Sequence, residues 1–207
     1  MQNRLFRIRC SAIGKIMGNA KVKGELSQTC KTYLHEWYSN DNEQIHSKYM
    51  DKGNQVEDEL IDFMANVLGF GLAEKNKVRV SDEYFDGECD VDLPNCVIDV
   101  KASWNRKTLQ QQVIDGINSD YEWQLHGYMH LYNKPKAILF YGLMNTPSTD
   151  WSDEIVYEDM PDNERWIAYQ FNYDIDKITA IKERVEMCRA YLIGYDKLIK
   201  SKLGTIN

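Results

Sequence analysis

The sequence predicts an α/β (α+β) fold in which helices flank a central mixed β-sheet. Two observations carry that expectation. Apolar residues recur at helical spacing through 47–68 and 175–202, while shorter runs at 77–81, 85–93, 96–102, 136–144 and 165–173 are alternating or strongly apolar, as strands are. The two kinds of segment interleave. No repeat, low-complexity run or Pro/Gly/Ser linker separates them, so the 207 residues are expected to form one domain, 1–207.

Each element has its own signal. Ser11 before "AIGKIMG" predicts a helix cap and a short helix ending near Gly18. Residues 27–39 read as a helix, and the helix at 47–68 stops at "GFG". The strands at 85–93 and 96–102 are joined by "LPN", short enough for an antiparallel hairpin. A polar helix is expected over 107–117 and another over 121–132, where "NKP" ends it. "KAILFYGLM" (136–144) and "RWIAYQFNY" (165–173) are strands, and 175–202 is a closing amphipathic helix.

Net charge is −7, which speaks against a nucleic-acid partner until its distribution is examined. Residues 1–31 carry Arg4, Arg7, Arg9, Lys15, Lys21, Lys23 and Lys31 against Glu25 alone. A local anion-binding surface on an acidic body and a solvated basic arm both fit that pattern. Cys10, Cys30, Cys89, Cys96 and Cys188 are scattered and lack a CxxC pair, which predicts reduced thiols in a cytoplasmic protein. No signal peptide and no stretch of 18 apolar residues is found.

The chemistry is concentrated in "GECDVDLPNCVIDVKAS", residues 87–103. Alternate residues of a strand share a face, so Asp99 and Lys101 point one way while Ile98, Val100 and Ala102 point the other. The hairpin can bring Asp90 beside Asp99. Two converging carboxylates with an open side suit Mg²⁺ or Mn²⁺, and a lysine nearby can bind or deprotonate a water or stabilise developing charge. Upstream, "GNQVE" sets Glu57 one helical turn after Gly53; downstream, Gln124 and Tyr128 lie four apart on a helix. Each short pattern alone usually means a charged surface or a packed face. The ordered set GxxxE, GxxD, DxK, QxxxY is what separates a site from that background.

That set resembles the PD-(D/E)XK nuclease superfamily, and more closely the lambda-exonuclease and YqaJ-type phage recombination exonucleases. Arg4 and Ser11, seven apart, are similar to the family's opening, and "YMDKGNQVEDELIDFM" is similar to its Gly/Glu helix. The resemblance implies a restriction-endonuclease-like core and a Mg²⁺-dependent deoxyribonuclease using one or two ions, with Mn²⁺ a substitute. It implies metal ligation by Asp90, Asp99 and the Val100 carbonyl, with Glu57 completing the acidic cluster. Lys101 would position or activate the water, Gln124 would orient the lysine or the water, and Arg4 with Ser11 would hold a DNA 5′-phosphate. Tyr128 and His126 would line the cleft. Degradation of linear duplex DNA from the 5′ end, a homotrimeric ring and a single-strand annealing partner are further implications, with roles in DNA repair or phage recombination.

Two features depart from the family. The tryptophan expected four residues before the arginine has no counterpart, and His126 stands where a second glutamine is usual. A PD-(D/E)XK endonuclease, a single-strand-specific nuclease and a non-catalytic DNA-binding or interaction module are the alternatives. Asp92 shares a face with Asp90 and competes with it as ligand, although the GxxD spacing favours Asp90. His126 and His130 lack the HExxH context of a zinc site, and an iron–sulfur cluster would need more C-terminal cysteines than Cys188.

Overall fold

The computed structural model describes residues 4–40, 48–146, 148, 154–157 and 159–203, with the side chains of 48–50 outside that description. Its strands make two sheets. One has the order β1-β3-β2, with β1 Ile8–Arg9, β2 Val80–Ser81 and β3 Phe85–Gly87. The other has the order β4-β5-β6-β7, with β4 Val91–Leu93, β5 Cys96–Ala102, β6 Lys136–Gly142 and β7 Trp166–Asn172. Around them pack α1 Ile13–Met17, α2 Gln28–Ser39, α3 Lys48–Leu68, α4 Arg106–Asp115, α5 Ser119–Leu131 and α6 Ile175–Lys202. The α+β class is the one expected, although the strands divide into two sheets rather than one.

The topology decides what covers the DxK strand. β5 and β6 are parallel, whereas β4–β5 and β6–β7 are antiparallel. A parallel pair cannot close with a tight turn, so the chain must cross a sheet face between β5 and β6. α4 and α5 make that crossover, and α5 covers the face that holds Val97, Leu139 and Tyr141. On the other face Ile98, Val100 and Phe140 pack against Val56, Leu60, Ile61 and Met64 of α3. Burial on both sides is why β5 and β6 read as near-continuous apolar runs. An acidic residue in β5 is therefore inside the molecule, not on a solvated sheet face.

Four helix starts follow their sequence signals. Ser27, Asn105, Asn118 and Asp174 cap α2, α4, α5 and α6 by accepting backbone N–H groups. Ser11 does not act this way. It sits within a 3₁₀ turn, Cys10–Ala12, and Ala12 occupies the cap position of α1 without a side-chain hydrogen bond. The helix does stop at Gly18.

Two strands are shorter than expected. Only Val80–Ser81 of 77–81 pairs, and 85–93 is broken into β3 and β4, which belong to different sheets. Alternation records which face a side chain takes, not which partner the strand pairs with, so the switch of sheet is invisible in the pattern. Glycines allow the close packing there. A Cβ on Gly87 would stand 2.8 Å from Cys10 Sγ and 2.9 Å from Tyr128 Cε1, and one on Gly127 would stand 2.6 Å from Ile13 Cδ1. Among the described residues no helix is long and apolar enough to cross a membrane, and the five cysteines are free thiols.

Candidate active site

Asp90 occupies the joint between the two sheets. The β4–β5 ladder pairs Val91 with Ile98, so Asp90 comes level with Asp99 one step further along. Its Oδ2 accepts the Val100 backbone N–H at 2.7 Å. Asp99 is only 1% exposed, and its two oxygens have different surroundings. Oδ1 accepts a hydrogen bond from Gln124 Nε2 at 2.8 Å, and the same amide donates to the Tyr128 hydroxyl at 3.1 Å. Oδ2 lies 2.5 Å from Lys101 Nζ as an ion pair but receives no well-directed hydrogen bond among the described residues. Asp90, Asp99, Lys101, Gln124 and Tyr128 are thus brought together, as their spacing predicts. Gln124 holds the carboxylate rather than the lysine.

The electrostatics are those of two crowded carboxylates beside one ammonium. Burial, and then the charge of Asp99, push Asp90 up to about 7; Lys101 and the Val100 N–H pull the other way. Burial would lower Lys101, but Asp99 and Asp90 outweigh it and hold the ammonium above its ordinary range. Tyr128 is also raised, by burial first and by Asp99 next, so its hydroxyl stays neutral. Two crowded carboxylates, one with a buried oxygen short of donors, fit a hard divalent ion with oxygen ligands.

Glu57 does not complete this cluster. Its Oε2 is held by Lys75 Nζ at 2.7 Å, and Lys75 also pairs with Asp58 at 3.3 Å. Among the described residues no three acidic, histidine or cysteine side chains converge tightly enough to hold an ion. Glu57 reaches Asp90 only as a more distant charge that raises it. Among the described residues no atom outside the helix's own backbone lies within 4 Å of where a Gly53 Cβ would stand, so their packing does not require glycine there. Asp92, the rival to Asp90, points to the edge and pairs with Lys134 at 2.7 Å.

His126 lies away from the cleft. It is two residues beyond Gln124, and two residues turn a helix by more than half a circle. Its buried ring packs edge-on against Phe171 of β7, and its Nδ1 has no partner among the described residues. Burial, and then Lys177, lower its pKa. The unfolded chain therefore takes up a proton more readily, so stability is lost as pH falls through the ordinary histidine range. His126→Leu is expected to flatten the acid side of the stability profile by up to about 1.4 kcal/mol per pH unit. Urea midpoints between about pH 5 and pH 7 read this directly, and an unchanged slope would refute it.

The basic arm is more ordered than a solvated tail. Phe6, Ile8 and Cys10 are buried, and Arg7 and Arg9 alternate with them toward solvent. Arg4, Arg7, Arg9, Trp37 and Ser81 line one concavity of about 490 Å³ together with Asp86, whose carboxylate is paired with Arg79. The Arg4 guanidinium stacks 5.1 Å over the Trp37 ring and donates to Asn40 Oδ1 at 3.3 Å. Ser11 is exposed on its turn but is not part of that lining.

Sequence reasoning missed Lys52 altogether. Its ammonium is buried under α3 and donates to the carbonyls of Ser103, Trp104 and Met144 at 2.8, 2.9 and 3.0 Å and to Thr146 Oγ1 at 2.7 Å. It ties the chain just beyond β5 and β6 to the helix that carries Glu57. A lysine inside an apolar-periodic helix, next to the glycine of GxxxE, was the only available signal.

No family model matches the sequence, and no curated protein aligns with it significantly. Solved structures do match. The phage-related exonuclease from Haemophilus somnus 129PT superposes with a TM-score of 0.81 at 30% identity, over 96% of this chain and 97% of that one. The alkaline exonuclease LHK-Exo from Laribacter hongkongensis gives 0.71 at 16% identity, over 96% and 94%. Its complex with dAMP gives 0.71 at 15%, over 96% and 93%. The Laribacter likeness speaks to fold alone, whereas the Haemophilus one spans nearly the whole of both chains at an identity that marks kinship. The chain therefore belongs to the phage-related exonucleases, PD-(D/E)XK nucleases of the lambda-exonuclease and YqaJ type.

Proposed function

We propose that this nuclease hydrolyses one strand of linear duplex DNA from the 5′ end, releasing 5′-mononucleotides and leaving a 3′ overhang. The observation that carries this reading is the convergence of Asp90, Asp99 and Lys101 beneath Gln124. Asp90 and Asp99, with the Val100 carbonyl, are the groups that would hold Mg²⁺ or Mn²⁺. A bound ion would supply positive charge at the scissile phosphate and make a water there more acidic. Lys101 stays protonated beside them and donates to the attacking water or to a phosphate oxygen. Gln124 keeps Asp99 in one rotamer by gripping Oδ1.

The choice of a DNA end rests on the arginine-lined concavity. Arg4, Arg7 and Arg9 present guanidinium groups to a phosphate, and Trp37 gives Arg4 a rigid seat. A mononucleotide product accords with the dAMP complex of the Laribacter protein. A homotrimeric ring and a single-strand annealing partner belong to the same reading.

The test uses labelled linear duplex with and without a 5′-phosphate, beside circular duplex and single strands, in Mg²⁺ and in EDTA. Linear duplex bearing the phosphate should be degraded fastest, circles should survive, and EDTA should stop the reaction. Arg4→Ala should raise KM and make the slope of log affinity against log salt shallower by about 0.9 for each phosphate left without its guanidinium. Cleaved circles would mean an endonuclease instead, and undiminished activity in EDTA would overturn the metal reading.

A further inference from the structure

We propose that Asn76 is a positioning residue for the nuclease centre, holding the backbone of Asp90 in register with Asp99. This deepens the metal reading above and rests on it. Asp90 lies in the gap between β3, which ends at Gly87, and β4, which starts at Val91. A carboxylate in such a joint has no ladder on its own residue to set its direction, although metal chemistry requires it to be placed within a fraction of an ångström.

Asn76, in the irregular stretch before β2, supplies the missing constraints. Its backbone N–H donates to the Asp90 carbonyl at 2.8 Å. Its Nδ2 donates to the Cys89 carbonyl and to the Tyr132 hydroxyl, both at 2.9 Å, with the Val78 carbonyl further off at 3.2 Å. Its Oδ1 accepts the Val78 N–H at 3.0 Å, and the Tyr132 hydroxyl donates to the Val78 carbonyl. One asparagine thereby ties residues 89 and 90 to its own loop and to the end of α5. Asp90 is gripped from both sides, by the Val100 N–H on its carboxylate and the Asn76 backbone N–H on its carbonyl, while the Asn76 side chain fixes the carbonyl of Cys89 beside it. The preceding residue, Lys75, pairs with Glu57 and Asp58 of α3, so this short stretch also sets the distance from that helix to the joint.

An asparagine fits this task better than any other side chain. It offers two amide hydrogens and an acceptor on a short stem, besides its backbone N–H, and all are used here. Removing an outer partner of a metal ligand typically costs 10–100-fold in metal affinity.

The experiment is direct Mn²⁺ titration of the DNA-free protein, followed by electron paramagnetic resonance or calorimetry, with melting curves recorded in EDTA. Asn76→Ala keeps the backbone N–H to Asp90 but removes the amide's hold on Cys89, Val78 and Tyr132, and should weaken Mn²⁺ binding by about 10-fold, the lower end of the range for outer partners. Tyr132→Phe, which loosens the same clip without touching Asn76, should weaken it less, with a melting temperature near that of wild type. Asp92→Asn, at the strand edge, should bind as wild type does. If Asp90→Asn loses Mn²⁺ while Asn76→Ala and Tyr132→Phe retain it, Asn76 is merely structural and the proposal is overturned. If Asp90→Asn itself binds normally, the metal reading beneath it fails.

Discussion

Lys101→Met is expected to slow DNA hydrolysis by roughly 10²–10⁴-fold, the range for a group that handles a proton or charge in the transition state. The same change should destabilise the metal-free protein. Asp99 is 1% exposed, and the Lys101 ammonium is the one cation against its Oδ2 among the described residues. Breaking a buried pair costs about 3–5 kcal/mol; the lower end applies because Lys101 keeps 26% of its side chain in solvent. For a chain of this size about 3 kcal/mol corresponds to a fall of roughly 6–12 °C in melting temperature. Mg²⁺ should close that gap, because the ion supplies the positive charge that the methionine lacks. Activity should not return with it. The divergence separates a catalytic lysine from a structural one: a structural role predicts that stability and rate recover together. Full hydrolysis by Lys101→Met in Mg²⁺ would remove the lysine from the mechanism.

The hairpin behind that prediction was legible because strand alternation and a short "LPN" link are local signals. They fix the faces of Asp99 and Lys101 and bring Asp90 alongside. The helical spacing of Gln124 and Tyr128 was legible for the same reason; His126, expected to line the cleft with Tyr128, does not, since two residues along a helix cannot share a face with Gln124. Other features lie beyond local pattern. Whether 85–93 is one strand or two depends on partners that appear only in the fold: β1 and β2 on one side, β5 on the other. Glu57 kept the expected spacing, yet Lys75, 18 residues away, engages its carboxylate. Lys52 and Asn76 act mainly on backbone carbonyls, and a carbonyl leaves no mark in a sequence. Residues that touch side chains of a motif can be guessed from the motif; those that hold its backbone cannot.

Lys52→Met should be the most destabilising of these changes, and magnitudes decide its sign. Lys52 is 3% exposed and its ammonium is bonded to neutral oxygens, so removing it relieves the cost of burying a cation. Burial draws Lys52 from its ordinary range down to about 8, which bounds that relief at roughly 3 kcal/mol near neutral pH. Against this stand three carbonyls and a hydroxyl that would lose their donor, each costing about 1–3 kcal/mol when left buried. The losses exceed the gain, and a net destabilisation of about 3 kcal/mol or more is expected. Methionine keeps the apolar stem, so the effect reports the ammonium and not a cavity. The pH dependence supplies a second reading. Because the folded state releases this proton at a lower pH than the unfolded chain, the contribution of Lys52 to stability rises between about pH 8 and 10. The difference in stability between wild type and Lys52→Met should therefore widen over that interval, as read from urea midpoints. Since Lys52 also binds the carbonyls just beyond Lys101, a variant that still folds should hydrolyse DNA more slowly, with KM little changed. A Lys52→Met protein as stable and as fast as wild type would show that the four oxygens are satisfied without it.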